Sequence, residues 1–499
     1  MVQMQAVGID LGTTFSAVAT VDENGQARVI PNAEGMLTTP SVALWNDGTF
    51  LVGQPALDFV RQTDGQEREL RAAGLIRGVK RMIGNAPKGG LISNGYRTSP
   101  VEVSSAIFAK LARDASARLG FQVQNAVITV PAHFGDRERS ETKAAAEMAG
   151  LNILQIVNEP SAAALTYTCG KQAEPGIVLV FDLGGGTFDV TVLQLGDKEA
   201  RVLSTHGIEE LGGINFTNSL ATMLRRRYET LTKTVYSGDS LSADKLVAVA
   251  EMAKCDLSTH EKTVGKLAPS LGPALDIELT RAQFEDLIDL SIYNLRMTVE
   301  AAVERARMTP AEITRVLLCG GSSRIPAVQT MLNDLFGRLP EHTLDLDLSV
   351  VLGAAYQAFN CVRKEQPAQT SGLQLLPTGL VIDCVSYPVG IAVLDGSGQR
   401  YIKLVMLRQG DPLDTWSHPF AVRIAGSTTS FPPIALYKGE SEDLDESDYL
   451  GSIPLILPPD TRPGGRAAVR MLQDQSGLLQ VQLELDGKEL PGSLQRSQN

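Results

Sequence analysis

The amino-acid sequence predicts an α/β region followed by a separate all-β region. Residues 1 to about 365 alternate strand-like and helix-like patterns, as layered α/β folds do. From about residue 380 to 487 the pattern changes to short alternating strands and turns containing Gly or Pro, which is typical of a β-sandwich. A glycine-rich turn occurs twice within the first region, which indicates two similar lobes.

The composition excludes several classes of protein. A chain of 499 residues with a formal net charge of -12 lacks the basic surface that broad nucleic-acid binding needs. The five cysteines include no CxxC pair, so we expect neither a disulfide framework nor a zinc site. No basic-then-apolar leader precedes Asp10, and no apolar run could cross a bilayer. We therefore expect a cytoplasmic protein with no nucleic-acid or membrane partner.

The elements of the first region can be assigned in order. The strand candidates are AVGIDL, FSAVATV, NAVITV, GIVLVFDL, FDVTVLQL and RVLLCGG. The helix candidates are SSAIFAKLARDASARLG, DRERSETKAAAEMAG, LVAVAEMAKCDLS and RAQFEDLIDLSIYNLRMTVEAAVERARM. The last repeats apolar residues every three or four positions, so we interpret it as an ordinary packing helix.

The second region begins after a polar segment, KEQPAQTSG. In LLQVQLELDG, apolar and polar residues alternate as in a half-buried antiparallel strand. We interpret ESEDLDESD as a solvated loop and the final PGSLQRSQN as a disordered end. The predicted boundaries are an α/β domain over 1–365, a linker over 366–384, a β-sandwich over 385–490 and a tail over 491–499.

The duplicated turn carries the first chemical signal. VGIDLGTTFSAV (7–18) and FDLGGGTFDV (181–190) each place an aspartate, Asp10 or Asp182, at the end of a strand before a glycine turn. Small residues let a backbone approach a phosphate, and the threonine hydroxyls add donors. Two carboxylates facing each other could hold a hydrated Mg²⁺. Either turn alone could be a tight β-hairpin, but two copies with the aspartate at one offset favour a phosphate site.

Two further glycine pairs extend this signal. LLCGGSSRIP (317–326) follows a strand, and its Gly320 and Gly321 could pass close to an adenine or ribose. Arg324 could stack on the base. ELGGINF supplies Gly212 and Gly213. Together the four segments predict a nucleotide site.

These motifs resemble the ATPase domain of the 70-kilodalton heat-shock chaperone family. The matching segments run in the family's order and spacing from residue 6 to about 362: GIDLGTTFSAV, NAEGMLTTPSVALW, GVKRMIG, NAVITVPAHFGDRERSETKAAAEMAGL, NEPSAAALTY, FDLGGGTFDV, LGGINF and CGGSSRIPAVQ. DLGTT alone would indicate only the wider actin, sugar-kinase and chaperone fold. The resemblance implies a two-lobed, actin-like ATPase domain of duplicated ribonuclease H-like subdomains.

The resemblance also implies roles for individual residues toward ATP or ADP, Mg²⁺ and a candidate K⁺. Asp10 and Asp182 would hold the Mg²⁺ through water, Lys80 would reach the γ-phosphate, and Glu159 would position the attacking water. Thr187 completes the implied catalytic set. The implied phosphate-binding residues are Gly12, Thr13, Thr14, Gly184, Gly185, Gly186, Gly212 and Gly213. Without the resemblance, Lys80 beside Arg81 would be interpreted as a surface lysine, and Glu159 as a helix N-terminal acid.

For the adenosine, the family pattern maps onto Glu251, Lys254, Ser258, Gly320, Gly321, Arg324 and Asp347. The simpler interpretation of Glu251 and Lys254 is a helical ion pair. Pro131, Arg139 and the linker residue Asp383 match the family's relay between nucleotide and linker, so they are allosteric candidates.

The β region resembles the family's substrate-binding sandwich weakly. Transferred by position, a peptide groove would include Ile391, Val393, Leu394, Phe420 and Ile434, although a sandwich core explains these apolar residues equally well. We do not expect the helical lid that follows the sandwich in the family. Gln155 replaces a basic residue usual in members served by J-domain co-chaperones, and GGINF lacks an acidic residue. J-domain use is therefore in doubt, whereas a nucleotide exchange factor stays an expected partner.

Three functions are compatible with the sequence. The first is an ATP-hydrolysing, lidless chaperone that binds unfolded or client polypeptide. The second is a nucleotide-dependent scaffold that docks one folded partner, which peptide binding with and without ATP would separate from the first. The third, a metabolite kinase, lacks any segment that resembles a small-molecule site.

Overall fold

The structure is a computed structural model, and it describes residues 6–63, 74–170, 174–196, 199–236, 239–341, 345, 347–365, 380–423, 433–454, 466–490 and 495–496. Within them it is a mixed α/β protein, as predicted. Among these residues, none of the helices combines the length and the apolar character that a bilayer crossing requires.

The first part of the chain, residues 6–170, is built on a six-stranded sheet. Its main strand order is β11-β10-β1-β2-β3, in which β1 pairs antiparallel with β2 and parallel with β10. The strands are β1 Ala6–Asp10, β2 Phe15–Val21, β3 Ala27–Val29, β4 Thr39–Pro40, β5 Val42–Asn46, β6 Thr49–Val52, β7 Ile76–Arg77, β8 Leu91–Ser93, β9 Tyr96–Thr98, β10 Asn125–Val130 and β11 Asn152–Asn158. The helices are α1 Gln54–Gln62, α2 Pro100–Leu119, α3 Asp136–Met148 and α4 Glu159–Gly170.

The second part, residues 174–365, repeats that strand pattern. Here β12, β13 and β14 form the antiparallel run, and β17 pairs parallel with β12 as β10 does with β1. The strands are β12 Gly176–Leu183, β13 Phe188–Leu195, β14 Glu199–Ile208, β15 Lys262–Leu267, β16 Leu275–Thr280 and β17 Ile313–Cys319. The helices are α5 Gly213–Thr232, α6 Ser240–Thr259, α7 Arg281–Arg305, α8 Pro326–Phe336 and α9 Ser349–Glu365.

Helix α9 ties the two parts together by packing on β1 and α4. Two glycines make this close approach possible. A Cβ on Gly8 would lie 2.2 Å from the backbone nitrogen of Ala355, and a Cβ on Gly353 would lie 1.7 Å from the carbonyl oxygen of Ala162. Both distances are below van der Waals contact, so any side chain at either position would force the elements apart.

The third part is a β-sandwich with one apolar core. The core joins Ile391 and Leu436 of one sheet to Met471 and Leu483 of the other. The sheet orders are β20-β19-β22-β23-β27 and β21-β24-β25-β26. The strand β18 Leu380–Ile382 precedes the sandwich and pairs with β14. The strands of the sandwich are β19 Val389–Leu394, β20 Tyr401–Leu407, β21 Phe420–Arg423, β22 Ile434–Lys438, β23 Asp448–Ile453, β24 Arg466–Gln473, β25 Leu479–Leu485, β26 Lys488–Leu490 and β27 Gln495–Arg496.

Two segments differ from the sequence expectation. Of the predicted linker, 366–379 lies outside the described residues, and Leu380–Ile382 forms a strand parallel to β14. A linker was expected there, but its apolar residues of extended propensity lengthen the sheet instead. In the predicted disordered tail, Gln495 and Arg496 pair with β23, so the prediction is wrong for these two residues.

Candidate functional site

The glycine turns of the two parts meet face to face. A Cβ on Gly185 would lie 2.2 Å from Thr14 Oγ1, and a Cβ on Gly186 would lie 2.8 Å from Thr13 Oγ1. A Cβ on Gly212 would lie 2.7 Å from the carbonyl carbon of Gly185, at the start of α5. Because these positions lack side chains, the turn after β1, the turn after β12 and the N-terminus of α5 reach one place.

Backbone hydrogen bonds fix that arrangement. The N–H groups of Gly213 and Ile214 donate to the carbonyls of Gly184 and Gly185, at 3.0 and 2.7 Å. Gly12 belongs to the opposite turn, where a Cβ would overlap the carbonyl oxygen of Phe15 at 2.0 Å. The predicted phosphate-binding residues are therefore neighbours in space, and the first N–H groups of α5 join the turns rather than face a ligand.

Lys80 and Glu159 form a buried ion pair beside these turns. Lys80 stands on the 3-10 turn Val79–Met82, and Glu159 is the first residue of α4. The side chains are only 5% and 9% exposed, so the surface-lysine interpretation is wrong. Burial lowers the pKa of Lys80, but Glu159, Asp10 and Asp182 outweigh it and raise the pKa above its usual range. Lys80 is thus an ammonium within the cluster.

Carboxylates outnumber cations around this pair. Burial raises the pKa of Glu159 to about 7 although Lys80 opposes the shift. Burial and three neighbouring carboxylates also raise the pKa of Asp182 well above its usual range. Asp10 accepts a hydrogen bond from Thr129 Oγ1 at 2.7 Å. Among the described residues, no group of three or more His, Cys, Asp or Glu side chains is arranged to bind a metal ion directly.

Asp189 is a buried carboxylate that the sequence assignment missed. It is 1% exposed, and its Oδ1 lies 3.0 Å from Nδ1 of His133. Burial lowers the pKa of His133, but Asp189 outweighs it, so the pKa is raised. The signal was present, because Asp189 is the second aspartate of FDLGGGTFDV and lies on an apolar strand.

The predicted adenosine residues flank the same turns. Lys254 Nζ donates to Glu251 Oε2 at 2.7 Å and to the carbonyl of Gly213 at 3.2 Å. From the other side, Ser322 Oγ donates to the carbonyl of Gly184 at 3.0 Å. The two groups are therefore joined through adjacent glycine backbone.

The remaining members of that set lie close by. Arg324 pairs with Asp347 at 2.9 Å, and Gly321 adjoins Asp347 Oδ1, which would lie 3.0 Å from an added Cβ. Gly320 has φ +74°, and its Cβ would meet the carbonyl of Leu183 at 2.4 Å. Ser258 Oγ bonds back to the carbonyl of Lys254 within α6.

Arg139 connects this site with the β-sandwich. Its guanidinium donates to Asn158 Oδ1 at 2.5 Å and to the carbonyl of Ser476 at 3.1 Å. Asn158 precedes Glu159, and its amide donates to Asp383 Oδ2 at 2.6 Å. Burial raises the pKa of Asp383 against its several hydrogen bonds. Pro131 accepts from the N–H of Phe134 in the same loop. The three allosteric candidates therefore lie near one another.

The sandwich docks on the edge strand β11. The N–H of Ile156 donates to Ser476 Oγ at 3.1 Å, and Gln155 Nε2 donates to the carbonyl of Gln475 at 3.1 Å. Gln155 Oε1 also accepts from Gln357 Nε2 at 2.7 Å. The uncharged residue that departs from the family pattern is thus part of the contact between the two regions.

A second set of contacts joins the sandwich to the second part of the chain. Arg305 pairs with Glu440 at 3.2 Å, and Gln409 Nε2 donates to the carbonyl of Thr205 at 2.8 Å. The sandwich is therefore held at two places on the α/β region.

The five predicted groove residues do not form one exposed set. Ile391 is 2% exposed within the sandwich core, so its assignment to the groove is wrong, because the alternation of β19 turns it inward. Val393, Phe420 and Ile434 are partly buried against that core. Leu394 is 50% exposed and pairs across the hairpin with Tyr401, which is 57% exposed.

Comparison with known proteins assigns a family. The sequence matches the family described as Hsp70 protein over residues 6–491. It is 35% identical over 482 residues to the chaperone protein DnaK of Thermosipho africanus, covering 95% of this chain and 77% of that protein. It is 34% identical over 483 residues to DnaK of Thermotoga neapolitana, with the same coverage. Against DnaK of Thermus thermophilus the identity is 40% over 381 residues, or 71% of this chain and 60% of that protein.

Proposed function

Because the chain belongs to the Hsp70 family of ATP-dependent chaperones, we propose that ATP hydrolysis in the buried site controls how its β-sandwich holds an unfolded or client polypeptide. One observation carries this proposal. Lys80, Glu159, Asp10 and Asp182 converge beside glycine turns that come from two parts of the chain with the same strand pattern. That repetition supports a two-lobed, actin-like domain over 1–365, built from duplicated ribonuclease H-like subdomains.

The carboxylate excess fits a hydrated divalent cation. Asp10 and Asp182 lie close enough to shift the pKa of Lys80, and carboxylate oxygens suit Mg²⁺, which keeps several of its waters. When bound, Mg²⁺ would neutralise charge on the phosphates.

The Lys80–Glu159 ion pair supplies the two groups that the proposed hydrolysis needs. The Lys80 ammonium would contact the terminal phosphate, and the hydroxyls of Thr13, Thr14 and Thr187 with the turn N–H groups would hold the others. Removing such a preorganised contact typically costs about 10²–10³ in rate. Glu159, with its pKa at about 7, is suited to orient a water and accept its proton. The adenosine would lie between the Glu251–Lys254 pair and the Gly320–Arg324 turn.

The hydrogen-bond relay supports coupling between nucleotide and sandwich. Glu159 is bonded to Lys80, its neighbour Asn158 contacts Arg139 and Asp383, and Arg139 contacts Ser476. When Lys80 turns to a phosphate, Glu159 is released and the relay can shift. Hydrolysis would then act as a timer for a change in the docking of the sandwich.

Single-turnover hydrolysis tests the site. We expect Asp10→Asn to lower the rate by about 10²-fold or more, because it removes charge that organises the phosphates. The matched control is Asp47→Asn, an exposed residue of the turn between β5 and β6, which should keep the wild-type rate. Equal rates in wild type and Asp10→Asn contradict the catalytic assignment.

A peptide assay tests client control. We expect short apolar peptides to bind weakly and to be released faster when ATP is added, because ATP changes the docked contacts. Tight capture of one folded protein without any response to apolar peptides would favour a scaffold, an alternative that the chaperone relatives do not favour. The same assay with a nucleotide exchange factor should speed the cycle. A J-domain protein should not, because Gln155 carries no charge and is already bonded.

A further inference from the structure

Arg81 follows Lys80 on the turn Val79–Met82, and none of the roles above uses it. Its side chain is half-buried. Its Cδ lies 2.8 Å from the point where a Cβ on Gly186 would stand, and Thr13 Oγ1 lies 2.8 Å from that same point. The stem of an arginine from the first part of the chain therefore packs against the glycine turn of the second, next to a predicted phosphate-binding hydroxyl.

The head of this side chain has no protein partner in the part of the chain that the structure describes. No carboxylate there lies within ion-pair distance of Arg81, and no acceptor is hydrogen-bonded to its guanidinium. Arg139, which is 4% exposed, bonds instead to three carbonyl oxygens and an amide oxygen. A guanidinium is always charged and presents five donors, so a half-buried one without a protein acceptor is free to bind an anion.

The site holds more negative than positive charge, so a nucleotide there needs a further cation such as Arg81. The buried ammonium of Lys80 is already paired with Glu159, and Asp10, Asp182 and Asp189 surround the pair. A nucleotide brings several more negative charges to this place. Arg81 is a cation on the adjoining residue that no carboxylate of the described residues neutralises, and its planar fork matches phosphate oxygens in a bidentate way.

We propose that Arg81 binds the terminal phosphate of ATP and thereby discriminates ATP from ADP. The inference rests on the proposed ATPase function. The terminal phosphate is favoured because Arg81 lies between Lys80, its neighbour in the chain, and Gly186, which precedes Thr187 of the catalytic set. Since its stem packs across the junction of the two parts, binding there also draws them together while the γ-phosphate is present.

Calorimetry with a non-hydrolysable ATP analogue and with ADP tests this on the full chain. We expect Arg81→Ala to weaken binding of the analogue about tenfold or more, as for loss of one charge-assisted contact, and to change ADP binding by less than about twofold. Arg81→Lys should recover part of the loss. The control Arg113→Ala, a surface arginine with a side chain 75% exposed, should bind both nucleotides like wild type.

Several outcomes overturn the proposal. Equal losses for both nucleotides in Arg81→Ala would show a positioning role for the turn, and no loss for either would remove the contact altogether. If Arg81→Ala fails to fold, Arg81→Lys and Arg81→Gln decide on the same criterion, the ratio of the two affinities. If the wild-type protein hydrolyses ATP and Arg81→Ala keeps the wild-type ratio of the two affinities, the Arg81 contact is refuted but the proposed ATPase function is not. A wild type that binds neither nucleotide refutes the proposed function as well.

Discussion

Replacing Lys80 by methionine removes the cation at the centre of the site while keeping a side chain of similar length. Wild type places one ammonium among the carboxylates of Asp10, Asp182, Asp189 and Glu159, with the Lys80–Glu159 pair almost fully buried. Breaking a buried pair by removing one partner typically costs about 3–5 kcal/mol, because an uncompensated charge stays behind. We therefore expect the free energy of unfolding without metal to fall by about this amount at about pH 8.

The same substitution should have a pH-dependent cost of known sign. Burial already raises the pKa of Glu159 to about 7, and losing Lys80 raises it further, because Lys80 opposes the shift. A carboxyl whose folded pKa is raised takes up a proton in the folded state as the pH falls, so the folded state gains stability there. The deficit of Lys80→Met should accordingly shrink between about pH 8 and about pH 6.

Urea denaturation and single-turnover hydrolysis measure the two effects separately. The double variant Lys80→Met/Glu159→Gln also removes the Glu159 charge that Lys80 compensates, so its stability should return to within about 1–2 kcal/mol of wild type. Its hydrolysis should stay about 10²–10³ below wild type, because the phosphate contact is still missing. A Lys80→Met variant that loses less than about 1 kcal/mol and hydrolyses ATP at a rate near wild type would refute the buried-pair reasoning.

Three other substitutions follow from the contacts. Gly477 and Gly487 have φ of +72° and +81°, so replacing either by alanine should cost about 1–2 kcal/mol of stability. Only a Cβ on Gly477 would meet the guanidinium of Arg139, at 2.9 Å. Gly477→Ala should therefore abolish ATP-dependent changes in protease cleavage at residues 380–390, whereas Gly487→Ala should not. Arg77 and Asp244 form an exposed ion pair, 3.9 Å between nitrogen and oxygen, that joins the first and second parts of the chain. Exposed ion pairs contribute about 0–1 kcal/mol to stability. Arg77→Ala should therefore speed ADP release no more than about fivefold in a displacement assay. The pKa of His133 is raised, so protonated His133 stabilises the folded state below about pH 6.5, and this contribution is lost as the pH rises through the folded pKa. His133→Gln should remove that pH-dependent loss of stability. A variant whose unfolding free energy depends on pH as in wild type would contradict this prediction.

Much of the α/β region could be predicted from the sequence because its signals are local. The aspartates at the ends of β1 and β12 follow apolar runs, and the glycines after them could be recognised as turns that approach a ligand. The structure brings both turns together through missing side chains at Gly185 and Gly186. What the pattern could not supply was the burial of Lys80, since a Lys-Arg pair in a short turn gives no sign of which side faces inward.

The β region was harder to predict because alternation alone does not say what covers each face. Ile391 has the same apolar character as Leu394, yet one lies in the core and the other is half exposed. Likewise, Leu380–Ile382 carries no sign in its own residues that β14, almost two hundred positions earlier, offers it an open sheet edge. Such pairings depend on residues distant in sequence.

The docking turn shows this limit most clearly, because the chain contains three turns of nearly the same local chemistry. DENG (22–25), DGSG (395–398) and DQSG (474–477) each begin with an aspartate whose Oδ1 accepts backbone N–H groups two and four residues on. By local rules they are the same hairpin device. Only the third meets a buried guanidinium and the free N–H of an edge strand, at Arg139 and Ile156. Its role therefore comes from where the sandwich lies on β11. An exchange of DQSG for DGSG should preserve docking, because the contacts use the backbone carbonyls of residues 475 and 476 and the hydroxyl of Ser476, which both sequences retain.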